Sequence, residues 1–293
     1  MIEVSVDPGQ LVVVVGPTGT GKTDLAIALA EQLDGEVIGA DSVQIYQRFD
    51  IGSGKPSVAE RARVRHHLVD IVDARHPIDA AQFAALADQA IADVLQRGKR
   101  PIICGGTFLW VKSLLFGLAE AAPRDESIRE RHRLRADQEG RPALHAELAK
   151  IDPASAAKLA PNDLVRVSRA LEVFELTGRP LSEVHSGHGF SEPRYSFKLV
   201  GPHRERDELD RRLRARVLGW LEQGWLDEVH GLIRDGFRDT RPMSSVGYKQ
   251  MLDLIDGRLD EKQLVDEIVK VTRVLVRRQR TWLRDEPVQW LNR

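Results

Sequence analysis

The sequence lacks the features that mark disulfide-stabilised and membrane proteins. Cys104 is the only cysteine among its 293 residues, which excludes an internal disulfide and a cysteine-based metal site. No apolar run approaches the roughly 18 residues that a membrane span needs. The first residues also carry no signal-peptide pattern. We therefore expect a cytoplasmic protein that has no membrane partner.

The sequence also has no excess of charge of either sign. It contains 43 Lys and Arg against 44 Asp and Glu, a formal net charge of −1. Apolar residues make up 42% and charged residues 30%, which is typical of a globular chain and excludes a disordered or fibrous one. The total charge provides no general attraction to nucleic acid, so any such contact must depend on local clusters.

The first part of the chain alternates strand and helix patterns. Residues 11–15 (LVVVV) are mostly β-branched and do not alternate in polarity, which is typical of a strand buried on both faces of a parallel sheet. A helical pattern follows, with Leu25, Leu29 and Leu33 on one face, and we expect it to end at Gly35.

Further elements continue the alternation. We expect strands at 36–40 (EVIGA) and 100–106 (RPIICGG), separated by a helix from about Ala80 to Gln96 that Gly98 ends. Cys104, in the second of these strands, is interpreted as a small buried residue. Strands and helices in this order predict an α/β fold with a mostly parallel sheet.

The pattern changes near residue 119. Strand signals disappear, and we expect helices, one of which has Asn162 as its N-cap and Gly178 after its last turn. Residues 185–194 are rich in Gly, Ser and His and predict a mobile loop. A short strand, FKLVG, follows from Phe197, and long helices occupy most of the remainder.

Residues 16–23 (GPTGTGKT) form a phosphate-binding loop between the first strand and the first helix. Glycines let backbone N–H groups point inward, Lys22 supplies a cation, and the Thr23 hydroxyl can bind Mg²⁺. The expected diphosphate-binding residues are Gly16, Pro17, Thr18, Gly19, Thr20, Gly21, Lys22 and Thr23. A conventional P-loop nucleoside triphosphatase would also have an Asp at the end of a buried strand. Here the strand at 100–106 ends in CGG, and Asp41 instead follows the strand at 36–40.

Several further segments resemble one family. They are DSVQIYQRFDIGSGKP (41–56), GGTFLW (105–110), RVSRALEVFELTGRPLSE (166–183), SVGYKQM (245–251) and RRQRTWLR (277–284). Together with the phosphate loop, in this order, they closely resemble the tRNA dimethylallyltransferases, also called tRNA isopentenyltransferases. The resemblance covers nearly the whole chain and is far more specific than the phosphate loop alone.

The resemblance implies a P-loop α/β core with an inserted helical domain. We expect the core to comprise residues 1–118 and 196–293, and the insertion at 119–195 to grip the tRNA anticodon stem-loop. The implied reaction moves the dimethylallyl group of dimethylallyl diphosphate to the exocyclic amine of the adenine 3′ of the anticodon. Pyrophosphate is released, with Mg²⁺ as cofactor, and a monomer is expected.

The implied catalytic residues are Lys22, Asp41, Thr107 and Arg216. Asp41 matches the family's base for the adenine amine; a role as a helix cap or as a magnesium ligand beside Thr23 is the alternative. Thr107 matches a threonine that contacts the target nucleotide, unless it only bonds its own turn. Arg216 matches an arginine that holds the diphosphate, and Arg212, one turn earlier, is the alternative.

The implied tRNA contacts come from four segments and two single residues. By family match they are Asp41, Ser42, Val43, Gln44, Thr107, Arg129, Val165, Arg166, Val167, Ser168, Arg169, Ser244, Ser245, Val246, Gly247, Tyr248, Lys249, Arg277, Arg278, Gln279, Arg280, Thr281, Trp282, Leu283 and Arg284.

The segment 270–284 carries six basic residues and no acid, which suits a surface that follows phosphates. The alternative is a solvated helix face balanced by nearby acids, among them Asp253, Asp256, Asp260 and Glu261. The chain's five tryptophans are interpreted as packing residues, with Trp282 as the one candidate for RNA contact.

Three other functions remain open at this point. A small-molecule P-loop kinase would need the strand-end Asp that is missing. A free-nucleotide (AMP or ATP) isopentenyltransferase would need neither the insertion nor the basic segment. A non-catalytic RNA-binding protein would not need Lys22, Thr23, Asp41 and Thr107.

Overall fold

A parallel sheet carries the phosphate loop. In the computed structural model, which describes residues 2–118, 124–186 and 192–292, the sheet has six strands in the order β3-β2-β4-β1-β5-β6, and each neighbouring pair is parallel. The strands are β1 (Leu11–Val14), β2 (Gly35–Gly39), β3 (His66–His67), β4 (Arg100–Cys104), β5 (Phe197–His203) and β6 (Gln289–Asn292). This confirms the predicted α/β class with a mostly parallel sheet.

The chain divides into two compact units. The first comprises residues 1–115 and 194–293, and the second comprises residues 116–193. In the first unit the helices are α1 (Lys22–Gln32), α2 (Val58–Arg63), α3 (Ala80–Gln96), α4 (Phe108–Phe116), α10 (Arg206–Glu222), α11 (Trp225–Arg234), α12 (Tyr248–Ile255) and α13 (Glu261–Leu283), with a 3₁₀ turn at Arg241–Ser244. In the second they are α5 (Glu126–Glu139), α6 (Arg141–Ile151), α7 (Pro153–Ala156), α8 (Leu164–Thr177) and α9 (Leu181–Ser186).

The core of the first unit lies between the sheet and α1. Val12 and Val14 of β1, Leu25 and Leu29 of α1, and Ile102 of β4 are all fully buried in one cluster. Burying each leucine side chain stabilises the fold by about 2 kcal/mol. Because β1 is central, with β4 on one side and β5 on the other, its carboxyl end opens where α/β proteins bind ligands.

The second unit has a helical core of its own. Leu144 and Leu148 of α6 pack with Val167, Ala170 and Leu171 of α8. No strand occurs among the residues of this unit that the structure describes, in agreement with the predicted helical pattern.

Two predicted helix boundaries were wrong. Helix α8 has Asp163 as its N-cap, whose side chain accepts from the Arg166 N–H, one residue after the predicted Asn162. Helix α1 ends before Gly35, because Asp34 takes the left-handed conformation (φ 50°) and Gly35 already begins β2. Gly178 does end α8 in the left-handed conformation, as predicted.

The other differences concern short elements. Strands β3 and β6 were not predicted, since neither carries an apolar run. The loop predicted at 185–194 falls partly outside the described residues, which leave out 187–191, and its first two residues end α9. In the described part of the chain, no helix is both long enough and apolar enough to cross a membrane.

Candidate active site

The phosphate loop joins the carboxyl end of β1 to the amino end of α1. Two of its glycines have left-handed backbones that other residues rarely adopt, Gly19 (φ 84°) and Gly21 (φ 93°). A Cβ atom on Gly19 would lie 2.7 Å from Cδ2 of Leu213 on α10, so the loop packs closely against that helix. Gly21 is the N-cap of α1 and offers no side-chain cap, which leaves the first-turn N–H groups available to an anion.

Lys22 lies beside this open helix end. Its Nζ donates to the Pro17 carbonyl at 2.9 Å, a carbonyl that also accepts from the Thr20 hydroxyl at 2.9 Å. Burial lowers the pKa of the Lys22 ammonium group, while the negative charge of Asp41 opposes that change and the nearby Arg216 adds to it. The side chain is therefore poorly hydrated, and the negative charge of a phosphate group bound beside it would favour its ammonium form.

Two arginines of α10 reach the same loop. Arg216 donates from Nη2 to the Thr18 hydroxyl at 2.8 Å, and its guanidinium lies 4.5 Å from the Trp220 ring centre. Burial lowers the pKa of Arg216 to about 10, so the group stays charged at neutral pH. Its Nε is buried and has no partner among the described residues. Arg212 is exposed and donates from Nε to the Gly19 carbonyl at 3.0 Å.

Asp41 and Thr107 lie on neighbouring loops. Asp41 follows β2, and its Oδ1 accepts from the N–H groups of Val43 (2.9 Å) and Gln44 (3.2 Å). The capping role is therefore present, but it involves only one of the two carboxylate oxygens. The Thr107 hydroxyl accepts from the Ser42 N–H at 3.0 Å and lies 3.1 Å from the Ser42 hydroxyl. Thr107 thus holds the loop that begins at Asp41 rather than only its own turn.

A cavity of about 530 Å³ brings these loops together. Its polar lining includes Thr18, Gly19, Gly21, Lys22, Thr23, Asp24, Asp41, Gln44, Arg212, Arg216 and Gln279, and its apolar lining includes Val43, Leu213, Val217, Trp220, Trp225, Val246, Ile268 and Leu275. The cavity therefore has cations beside the phosphate loop, the Asp41 carboxylate near them, and a set of apolar side chains in the rest of its wall. That combination suits a ligand with a diphosphate and a hydrocarbon end.

Cys104 is another lining residue, and it also packs against the core cluster of the first unit. It is partly exposed and ends β4 against the cavity. Burial of the sulfur raises the pKa of its thiol to about 12, so it stays protonated and is a poor nucleophile.

Two tryptophans of the cavity were predicted only as packing residues. Trp225 is fully buried, and its ring lies so close to Gly52 that a Cβ there would be 2.1 Å from Nε1. Gly247 makes a similar approach, with a Cβ at 2.6 Å from the ring. Trp220 packs edge-on against Trp225 at 5.3 Å. The signal in the sequence was glycine itself at these two positions: Gly52 and Gly247 lie in turns, and each also makes room for the Trp225 ring.

The residues predicted to contact tRNA in the first unit divide into exposed and buried groups. Arg277, Arg278, Arg280, Thr281, Trp282, Arg284, Ser244, Val246 and Lys249 are exposed. Gly247, Tyr248 and Leu283 are buried, and their contact with RNA stays a prediction. The Tyr248 hydroxyl donates to Glu228 at 2.6 Å, and that carboxylate also accepts from the Ile51 N–H at 2.7 Å. Tyr248 thus supports the cavity wall.

Gln279, which was also predicted to contact RNA, binds two backbone groups of the cavity loops. Its Oε1 accepts from the Thr18 N–H at 2.9 Å, and its Nε2 donates to the Gly106 carbonyl at 3.0 Å. The side chain is directed to the phosphate loop, although it comes from the basic helix α13.

The acids proposed to balance the basic segment bind elsewhere. Asp253 and Asp256 pair with Arg258, and the Asp260 side chain caps α13. Within the described residues, Arg277 and Arg278 have no carboxylate within ion-pair distance. Arg273 does pair with an acid, Asp210 of α10, at 3.0 Å, so only the later part of the segment offers free cations.

Two of the three arginines that are predicted to contact RNA in the second unit bind the same carboxylate. Arg129 and Arg169 both donate to Glu172, whose side chain is fully buried, at 2.7 Å. Burial by itself would raise the pKa of Glu172, but hydrogen bonds from these arginines lower it to about 2. The ion pair between Arg129 and Glu172 therefore joins α5 to α8.

The remaining residues of this predicted segment also differ in exposure. Val167 and Ser168 are buried, and their contact with RNA stays a prediction. Ser168 hydrogen-bonds His132 at 2.9 Å. Val165 and Arg166 are exposed, and Arg166 pairs with Asp163.

The donors beside the phosphate loop fit a magnesium ion. The Thr23 hydroxyl and the Asp41 carboxylate both line the cavity, and hard oxygen donors next to a diphosphate are the ligands that Mg²⁺ prefers. No cluster of three or more His, Cys, Asp or Glu side chains forms a separate metal site within the part of the chain that the structure describes.

Comparison with known proteins gives one consistent answer. The family model described as IPP transferase matches residues 44–286. A tRNA dimethylallyltransferase of Sorangium cellulosum is 60% identical over 284 residues, 97% of this chain and 90% of that protein. A tRNA dimethylallyltransferase of Anaeromyxobacter dehalogenans is 44% identical over 96% of this chain and 94% of its own length.

Solved structures agree. The tRNA isopentenylpyrophosphate transferase of Bacillus halodurans matches with a TM-score of 0.71 and 36% identity, over 97% of this chain and 90% of that one. A eukaryotic dimethylallyltransferase acting on tRNA matches with a TM-score of 0.80 and 26% identity, over 97% of this chain and 74% of that one. The chain belongs to the IPP transferase family of enzymes, among the tRNA dimethylallyltransferases.

Proposed function

We propose that this enzyme transfers the dimethylallyl group of dimethylallyl diphosphate to the exocyclic amine of the adenine 3′ of the anticodon, and releases pyrophosphate. The observation that carries the proposal is a single cavity in which the cations Lys22 and Arg216 and the carboxylate Asp41 meet around a phosphate loop. The cations suit a diphosphate leaving group, and the carboxylate suits an amine nucleophile. Both the cations and the carboxylate are accounted for without a phosphoryl transfer.

At the diphosphate end, the enzyme stabilises developing negative charge. As the allylic C–O bond breaks, its electron pair moves onto pyrophosphate. Lys22, Arg216 and the open N–H groups at the start of α1 are directed at this region. Such preorganised donors accelerate reactions by stabilising charge where it appears.

At the base end, Asp41 accepts the proton that the amine loses as the N–C bond forms. The two N–H groups that bind Oδ1 fix the orientation of the carboxylate, which leaves Oδ2 for the proton. Thr107 positions Asp41 through its hydrogen bonds to Ser42.

Mg²⁺ would be held by Thr23, with Asp41 as a second candidate ligand. When bound, the ion supplies further positive charge to the diphosphate. The protein's own cations already surround the same position, so the ion adds to their effect.

The tRNA would bind over the exposed residues that were predicted to contact it. The adenine must leave the anticodon-loop stack to enter a closed cavity. The exposed face of α13, with Arg277 and Arg278, suits the adjoining phosphates. We assign the predicted insertion at 119–195 to the anticodon stem-loop, and the enzyme to the cytoplasm as a monomer.

Mass spectrometry of tRNA nucleosides tests the proposal. Purified enzyme, dimethylallyl diphosphate, Mg²⁺ and unmodified tRNA should yield an adenosine heavier by one prenyl group, together with pyrophosphate. The matched reaction with AMP in place of tRNA should yield none, and one with ATP alone should release no phosphate. Prenylated AMP or phosphate release would favour the free-nucleotide or kinase alternative instead.

A further inference from the structure

One side chain joins the two halves of the candidate active site. The Gln279 amide accepts from the Thr18 N–H at 2.9 Å and donates to the Gly106 carbonyl at 3.0 Å. Thr18 belongs to the phosphate loop, and Gly106 precedes Thr107 on the loop after β4. The contact with Gly106 is close, since a Cβ there would lie 2.7 Å from Nε2 of Gln279.

Each end of this bridge leads to a residue that handles a substrate. The Thr18 hydroxyl accepts from Arg216 at 2.8 Å, at the diphosphate end of the cavity. The loop at Gly106 continues to Thr107, whose hydroxyl holds Ser42 next to Asp41. The Gln279 amide therefore links the part of the cavity that holds the cations to the part that holds the carboxylate.

Gln279 also connects these loops to the basic face of α13. Its neighbours Arg277 and Arg278 are exposed, whereas Gln279 is half-buried and lines the cavity. Helix α13 also packs on α10 through Val276 and Leu213, so the Gln279 amide is the direct polar link among several contacts between this helix and the phosphate loop.

The chemistry requires an amide at this position. One end must accept from an N–H group and the other must donate to a carbonyl, and the carboxamide of Gln or Asn offers both in one planar group, which His does only as the neutral imidazole. Asn is one methylene shorter. A carboxylate of the same length can accept from Thr18 but would repel the Gly106 carbonyl oxygen.

We propose that Gln279 is a positioning residue, which holds the phosphate loop and the Thr107 loop at the separation that the transfer needs. This inference rests on the proposed function, since it concerns the same cavity. It assigns Gln279 to the chemical step rather than to RNA affinity.

The test compares Gln279→Met, which keeps the length and removes both hydrogen bonds, with Gln279→Glu, which keeps only the acceptor. The matched control is Gln263→Met, the same change at an exposed position of the same helix. The measurements are the single-turnover rate of prenyl transfer at saturating tRNA, the Kd for tRNA, and the melting temperature.

We expect both Gln279 variants to lose about 10- to 100-fold in single-turnover rate, as displacements of about 1 Å do at other active sites. Their Kd for tRNA should stay within about twofold of wild type, and Gln263→Met should match wild type in both. If Gln279→Met does not fold, the single-turnover rate and the tRNA Kd of Gln279→Glu test the positioning role.

Three results would overturn the inference: an unchanged rate, a loss confined to tRNA affinity, or an equal loss in Gln263→Met. A wild-type enzyme that makes no prenylated adenosine would instead overturn the proposed function.

Discussion

Asp41 combines two roles in one carboxylate. Its Oδ1 holds the turn that begins at the residue itself by accepting from Val43 and Gln44, and its place on the cavity makes it available to a substrate. An Asn side chain retains an oxygen for the turn but cannot take a proton. The conservative replacement therefore separates the fold of the loop from the chemistry.

We expect Asp41→Asn to lower kcat by about 10²-fold or more, the size of general-base contributions elsewhere. The Kd for tRNA should change little, because the turn is preserved. Asp24→Asn, which removes another carboxylate from the same cavity lining, serves as the control and should keep most of the activity. Equal losses in kcat and tRNA affinity for Asp41→Asn would contradict the base role.

The two arginines of α10 differ in their surroundings, and this separates their expected roles. Arg216 is partly buried against Trp220 with an unpartnered Nε, whereas Arg212 is exposed and bonded to Gly19. Charges interact more strongly away from water. The structure thus favours Arg216 as the main diphosphate ligand.

Replacing Arg216 with Gln should raise the Kd for pyrophosphate and lower kcat by about 10²-fold. Arg212→Gln should cost less than about fivefold, as expected for a charge in water. Calorimetry with pyrophosphate and steady-state kinetics measure these effects. The reverse order of the two variants would assign the diphosphate to Arg212.

At the scale of elements, local patterns were enough to predict the scaffold of the site. Strand β1, the phosphate loop and α1 follow from one apolar run and a fixed spacing of Gly and Lys. The helix at Ala80–Gln96 was predicted at its observed limits from the helical spacing of its apolar residues and from Gly98, which follows its last turn.

Features that depend on distant contacts were not predictable in this way. Tyr248 and Gln279 lie in motifs that suggest RNA contact, but both side chains are directed into the protein. Tyr248 hydrogen-bonds Glu228 and Gln279 hydrogen-bonds Thr18, and both partners are distant in the sequence. Strand β6 forms only because β5 is available beside it. No local pattern carries that information.

The buried carboxylate Glu172 joins helices α5 and α8 and makes the second unit sensitive to acid. With Arg129 and Arg169 bound, its pKa falls from a usual value of 4.5 to about 2. A lowered pKa means that this stabilisation is complete above the usual value and is lost as the pH falls towards about 2. The unit should therefore become progressively less stable below about pH 4.5.

We expect Glu172→Gln to destabilise the second unit by about 3 kcal/mol at neutral pH, because two arginines lose their buried partner. Hydrogen exchange at the α5 and α8 amides of the full chain reports this. Glu139→Gln, at an exposed pair with Arg135, is the control and should have little effect. Unchanged protection in Glu172→Gln would show that the cluster does not hold the helices together.

Helix α13 has a division of charge along its length. Its earlier basic residues bind acids, such as Arg273 with Asp210, whereas Arg277 and Arg278 are exposed and free of carboxylates among the described residues. An arginine without a carboxylate partner can neutralise an RNA phosphate and release its counterion, whereas an arginine already paired with an acid releases fewer counterions. The end of the helix is therefore the part that should determine salt dependence.

The double variant Arg277→Gln, Arg278→Gln should weaken tRNA binding. It should also reduce the slope of log K against log salt by about 1.4, or 0.7 for each phosphate contact. Fluorescence anisotropy over a salt series measures the slope. Arg258→Gln, whose guanidinium is already paired with Asp253 and Asp256, should leave it unchanged. An equal change in both variants would indicate a general effect of charge.

For the whole molecule, 43 basic residues against 44 acidic ones mean that the total field does not attract nucleic acid. Binding must come from local cations such as Arg277 and Arg278, and specificity must come from a base that can leave its stack and enter the cavity. Duplex DNA offers phosphates but no extruded adenine.

We therefore expect tRNA to bind at least about 100-fold more tightly than a DNA duplex of equal charge at physiological salt, with both affinities falling as salt rises. Anisotropy titrations with the two nucleic acids measure the ratio. An anticodon stem-loop with pyrimidine in place of the target adenine should bind less tightly than the natural loop, because it cannot fill the cavity. Equal affinity for the duplex and tRNA would show that charge alone determines binding, and the cavity would then have no part in selecting the substrate.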